Sequence, residues 1–121
     1  MCIRDRAGEY LICEGDPPHA LYFVQSGKIT IQIEHDGDRT TRLRTCGAGA
    51  LVGEVGLYLG TPASATVRAD EDTVVLGLDA ESLARMEAED AALAAAFHRF
   101  VAQHLSERLV STNDMVRALA E

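Results

Sequence analysis

The hydrophobic period of this chain changes once, near residue 79, and that change leaves few architectures open to it. Before it, apolar residues recur at every second position. In "KITIQIE", residues 28 to 34, Ile29, Ile31 and Ile33 share one side of an extended chain, and Lys28, Thr30, Gln32 and Glu34 share the other. That is the pattern of a strand with one covered face. Asp36-Gly37 follows as a two-residue hairpin signal, and "RTTRLRT" returns as the partner strand. "ALYFV" reads as a strand ending at a turn with Gly27, and Val74, Leu76 and Leu78 alternate again. Short strands with turns every ~8 to 12 residues point to an antiparallel roll or sandwich.

From Asp79 the period becomes helical. Asp79 is placed to cap a short helix over "AESLARMEAE", and Asp90 to cap a long one from Ala91 to about Ala120, which contains neither Gly nor Pro. Leu93, Phe97, Phe100 and Val101 are expected to form its buried stripe. Leu105, Leu109, Thr112, Val116 and Leu119 follow at steps of 4, 3, 4 and 3. Two readings of that seam stand: packing within the same domain, or a parallel dimer helix with Thr112 setting the register or facing a ligand. The fold class is therefore α+β, a jelly-roll-like antiparallel β-roll over residues 7–78 followed by helices over 79–121. The first six residues, "MCIRDR", look like translated adapter sequence, and residues 1–6 are expected to be non-native or disordered.

Composition excludes several function classes. The formal net charge is −8, with 11 Lys and Arg against 19 Asp and Glu, so a phosphate backbone would be repelled and no nucleic-acid partner is expected through this domain. No apolar run approaches the ~18 residues of a membrane helix, so no direct membrane insertion is expected, and a cytoplasmic setting is. Cys2, Cys13 and Cys46 lack C-x-x-C spacing, and no disulfide framework or zinc site is indicated. His98 and His104 lie about 240° apart around a helix, which rules out a two-histidine metal face. His19 and His35 stand alone, and no serine has a nucleophile-elbow context. No metal, cofactor or catalytic residue is expected, and the chain is not read as an enzyme.

The stretch "GEVGLYLGTPASATV" sets glycines on either side of a carboxylate, then a Pro-Ala-Ser-Ala turn running into a strand. Upstream, "AGEYLICEGDPPHALYFVQSGKITI" carries Gly8-Glu9, Glu14-Gly15-Asp16, Leu21-Tyr22 and Gly27. With the roll-then-helices order, these segments resemble the cyclic nucleotide-binding domain of the catabolite-activator and protein-kinase regulatory-subunit families over residues 7 to 121. The resemblance implies a phosphate-binding cassette at 53–66. Its amides around Gly53, Glu54, Val55, Gly56 and Leu57 would face the cyclic phosphate of cAMP or cGMP. Glu54 would accept the ribose 2′-hydroxyl, and Ser64 and Ala65 would add a hydroxyl and amides, with Thr66 ending the set.

The family arginine that pairs with the phosphate falls nine residues after the glutamate, and position 63 is Ala63. Losing one partner of a buried charge pair costs ~3 to 5 kcal/mol, about two to three and a half decades of affinity. Strand parity gives no replacement. Arg68 opposes Ala63, Ala65 and Val67, while Arg42 and Arg44 oppose Leu43, which is expected in the core. Weakened or lost affinity follows.

"GEVGLYLG" and the "FHRF" helix also resemble the regulatory tail of bacterial sulfate-permease-type anion transporters, which would make the chain the cytoplasmic end of such a protein. No helix-turn-helix follows the long helix in these residues, and a transcription-factor role is not expected from them. Two functions result: a cyclic-nucleotide sensor whose helices signal to a partner subunit or attached domain, or a ligand-free dimerisation or docking module. Thr112 and Asn113 are the candidate base-facing lid.

Overall fold

A computed structural model of the protein describes residues 2–120, with side chains from residue 5 onward. The chain divides into two compact units, Met1–Ala80 and Glu81–Glu121.

In the first unit the strands are β1 (Cys2–Asp5), β2 (Tyr10–Ile12), β3 (Ala20–Ser26), β4 (Ile29–Glu34), β5 (Thr40–Cys46), β6 (Leu51–Val52), β7 (Thr66–Ala69) and β8 (Thr73–Asp79), with the short helix α1 (Glu54–Leu59) between β6 and β7. They form two four-stranded sheets, ordered β1-β8-β3-β6 and β2-β7-β4-β5, and every pairing is antiparallel. Val24, Val52 and Val75 from the first sheet and Ile29, Ile31 and Val67 from the second make one buried cluster. The antiparallel β-roll expected from the alternation is the observed architecture.

Residues 2–5, expected to lie outside the fold, instead form β1, pairing Cys2–Asp5 with Leu76 to Thr73 of β8. Backbone pairing asks only for an extended segment beside an open strand edge, so unusual composition does not keep it out. Met1 lies outside the described residues. Asp5 carries a cost there. Its Oδ2 is buried without a hydrogen-bond partner, and burial first, then the Glu9 charge, holds its carboxyl above the usual range.

On β4 the alternation holds for Ile29 and Ile31, yet Thr30 and Gln32 are buried as well, at 3% and 6% exposure. A central strand with neighbours on both sides has its polar row covered too, and the groups are satisfied locally. Thr30 Oγ1 donates to Asp70 Oδ2 at 2.6 Å, and Gln32 Nε2 donates to Glu34 Oε1 at 3.1 Å. The hairpin after β4 is wider than the expected two-residue turn. His35 N–H donates to the Arg39 carbonyl at 2.8 Å, so Asp36, Gly37 and Asp38 form the loop.

The β4–β5 register carries the largest departure from the expected parity. Ile29 lies opposite Cys46, Thr30 opposite Thr45 and Ile31 opposite Arg44, but Gln32 lies opposite Arg42. Leu43 is the extra residue of a bulge. It is 49% exposed, where the expectation had it in the core, and Arg44 takes the inward position across from Ile31.

The second unit holds most of α2 (Ala80–Glu89) and all of α3 (Ala91–Ala120). Asp90 caps α3 as expected, its Oδ1 accepting Leu93 N–H at 3.1 Å. His98 Nε2 lies 3.3 Å from Glu87 Oε2, joining the two helices. The buried row of α3 keeps Phe97 and Val101 of the expected stripe and takes Ala94 in place of Leu93. Ala94 and Val101 are buried, with Phe97 half-buried, while Leu93 and Phe100 are exposed. Small residues permit the closest approach, so the line of contact follows Ala94 and not its larger neighbour. Beyond Leu105 the apolar seam is open: Leu109, Val116 and Leu119 are 61%, 59% and 82% exposed.

Candidate functional site

The cassette begins where β6 ends. Leu51 and Val52 are both buried, and the chain then turns through Gly53 at φ 83°, ψ 0°. Two constraints demand glycine there. A left-handed backbone penalises any Cβ, and a Cβ at this point would lie 2.5 Å from the Ala20 carbonyl oxygen and 3.3 Å from Ile12 Cδ1. Backbone of α1 is thereby brought against β3.

Glu54 opens α1 and is buried at 3% exposure, a position where a carboxylate helps the helix dipole. No side-chain cap hydrogen bond serves the helix N-terminus. Leu57 N–H donates to the Gly53 carbonyl at 3.1 Å, and Gly60 N–H to the Gly56 carbonyl at 2.8 Å. Gly56 sits in a tight space, since an added Cβ would come within 3.2 Å of the Thr61 carbonyl oxygen and 3.3 Å of Pro18 Cβ. Val55 is exposed and Leu57 half-buried.

The return from α1 to β7 is braced by the segment after β2. Ala63 N–H donates to the Asp16 carbonyl at 2.9 Å, and Gly15 N–H donates to the Ala63 carbonyl at 2.9 Å. Both backbone groups of Ala63 are thus engaged by the fold. Thr66 is 2% exposed, and its Oγ1 accepts Glu14 N–H at 2.9 Å. Glu14 Oε1 in turn accepts Glu34 N–H at 3.3 Å. Ala65 packs against the core cluster, and Ser64 is exposed. The Glu14-Gly15-Asp16 turn, quoted above as part of the resemblance, is the cassette's brace.

The expected residues 53–57 and 63–66 thus all belong to one connected segment of the roll. Thr112 and Asn113 lie on α3, exposed, in the second unit. Among the arginines of β5 and β7, Arg68 lies 3.6 Å from Asp70 and is paired across from Thr30 and Tyr10, away from the core face, as expected. Arg42 is exposed. Arg44 is the one that strand parity misplaced. Among the described residues no group of three or more His, Cys, Asp or Glu could hold a metal ion, and no helix is long and apolar enough to cross a membrane.

Comparisons with known proteins agree with this architecture. A segment of 45 residues is 47% identical to the CRP-like protein Clp of Xanthomonas campestris pv. campestris, covering 37% of this chain and 20% of Clp. A cyclic nucleotide-binding domain from Methylobacillus flagellatus superposes with a TM-score of 0.90 at 24% identity, over 97% of this chain and 66% of that one. The catabolite activator protein of Thermus thermophilus superposes with a TM-score of 0.79 at 29% identity, over 99% of this chain and 55% of that one. The chain therefore spans only part of the length of each. The family model described as Cyclic nucleotide-binding domain matches residues 4–90, most of the chain and the whole of the cassette, and the protein belongs to that family.

Proposed function

We propose that this chain is a regulatory sensor module that binds a cyclic nucleotide, cAMP or cGMP, in the roll beside residues 53–66, more weakly than a relative with a cassette arginine. The observation that carries the reading is the built geometry at Gly53-Glu54. A left-handed glycine that tolerates no Cβ turns a buried glutamate into the first turn of a short helix. Glu54 takes the ribose hydroxyl, α1 amides and the Ser64 hydroxyl meet the phosphate, and Ala63 leaves the phosphate without the family's guanidinium.

Calorimetric titration of the wild type and of Ala63→Arg with cAMP and cGMP tests this. The reading expects heat from the wild type in the micromolar range or above and tighter binding by the variant. Silence from both would overturn it.

A second reading, a ligand-free dimerisation or docking module at the cytoplasmic end of an anion transporter, draws on the exposed apolar row Leu109, Val116 and Leu119 of α3 and on the Tyr58-Leu59-Gly60 turn. It expects a concentration-dependent dimer and no response to nucleotide.

A further inference from the structure

We infer that Arg44 supplies, from β5, the positive charge that Ala63 withholds from the cassette; this rests on the cyclic-nucleotide reading above. Three observations carry it. The first is orientation. The bulge at Leu43 pairs Arg44 with Ile31, and Ile31 pairs on its other side with Val67. Directly opposed residues share a face, and Ile31 and Val67 both belong to the buried cluster. The guanidinium is therefore on the inward face of the roll, where Arg42 and Arg68 are not.

The second is position. The row Arg44–Ile31–Val67 lies next to the row Arg42–Gln32–Thr66, and Thr66 is where the cassette enters β7. Two strand spacings separate the Arg44 and Val67 backbones, about 10 Å, with the buried Ile31 side chain between them on the same face, so in this proposal the guanidinium and a phosphate group meet above Ile31. Arginine suits the task, because its planar fork donates two parallel N–H groups to phosphate oxygens and stays charged at every working pH.

The third is that the charge is uncommitted. Arg44 is half-buried, and among the described residues its side chain makes no ion pair or hydrogen bond. The nearest comparison is Arg68, which lies within ion-pair distance of Asp70. A guanidinium on the inward face with no counter-ion is a ready partner for an anion in the roll. In this account the cassette keeps its amides and glutamate, and its counter-ion has moved from the cassette to the neighbouring sheet edge.

The test titrates the 121-residue chain with cAMP and, as a probe without phosphate, adenosine. It uses the wild type, Arg44→Gln, Arg44→Lys and the double variant Ala63→Arg/Arg44→Gln, each checked for a native thermal transition. The expected result is a loss of about 10- to 100-fold in cAMP affinity for Arg44→Gln, little change for adenosine, partial recovery by Arg44→Lys, and recovery in the double variant. Equal cAMP affinity for wild type and Arg44→Gln overturns the role of Arg44 and leaves the cyclic-nucleotide reading standing. An equal loss for cAMP and adenosine also overturns it, since that marks a packing effect. No binding by the wild type or any of the three variants overturns both.

Discussion

The cassette and the β4–β5 hairpin are neighbours in the roll, and they are specified in opposite ways. In the cassette, geometry is enforced by what cannot fit. Gly53 and Gly56 stand where a Cβ would meet backbone, and Gly53 must also be left-handed. In the hairpin, geometry depends on one supernumerary residue, Leu43, whose side chain makes no steric demand and lies half in solvent. A glycine requirement is written into the residue type. A bulge is written only into the count of residues between two partners, and that count is invisible until the partners are known.

The sharpest way to break the comparison is Gly53→Ala. It adds a Cβ against the Ala20 carbonyl and forces a left-handed alanine, so a loss of about 3 kcal/mol in denaturant unfolding is expected. Gly60→Ala supplies the contrast. Gly60 is also left-handed but has open space around its Cβ position, so only the conformational cost of about 1 kcal/mol applies. Equal losses at the two positions would remove the steric argument for the cassette.

Next in size is the Ala63→Arg variant, with an expected gain of about 10- to 100-fold in cAMP affinity. Ala63 is half-buried with both backbone groups engaged, so the backbone is held while the side chain is exchanged. No gain would mean that position 63 does not face the ligand.

These contrasts also show what the sequence could and could not convey. The change of period at residue 79 located the end of β8 and the start of α2 to within a residue. The Asp90 cap was legible because its chemistry is local. The cassette was legible by its motif, although the task of Glu14, Gly15 and Asp16 was not, because their partners Thr66 and Ala63 lie some fifty residues away. Parity reasoning failed at Leu43 and Arg44 through the bulge. Hydrophobic ranking failed at Leu93 and Phe100, where small Ala94 sets the line of burial. Thr30 and Gln32 read as solvent-facing because alternation cannot tell an edge strand from one flanked by β5 and β7.

Two smaller effects sharpen the picture of the roll. Asp5→Asn is expected to raise thermal stability at neutral pH. The fold raises the Asp5 carboxyl above its ordinary value, so folding penalises the ionised form, and the folded state is favoured as pH falls through that raised value. The advantage of the variant should therefore be present at pH 7 and vanish below about pH 4, the ordinary aspartate value; an advantage unchanged down to pH 3 would contradict this cause. Smallest of all is Leu43→Ser. An exposed bulge residue should cost within about 0.5 kcal/mol, whereas a core leucine would cost 2 kcal/mol or more by the usual scale of about 2 to 5. A large loss would restore the unbulged register and return Arg44 to the outer face.

The central claim is that a cyclic nucleotide sits on the cassette, and amide-resolved NMR tests it most directly. On adding cAMP to the labelled protein, the account predicts saturable shifts at Gly53, Glu54, Val55, Gly56 and Ser64, with Gly37 at the tip of the β4–β5 hairpin unmoved. Absence of shifts at saturating nucleotide, or shifts confined to residues outside 53–66, would contradict it.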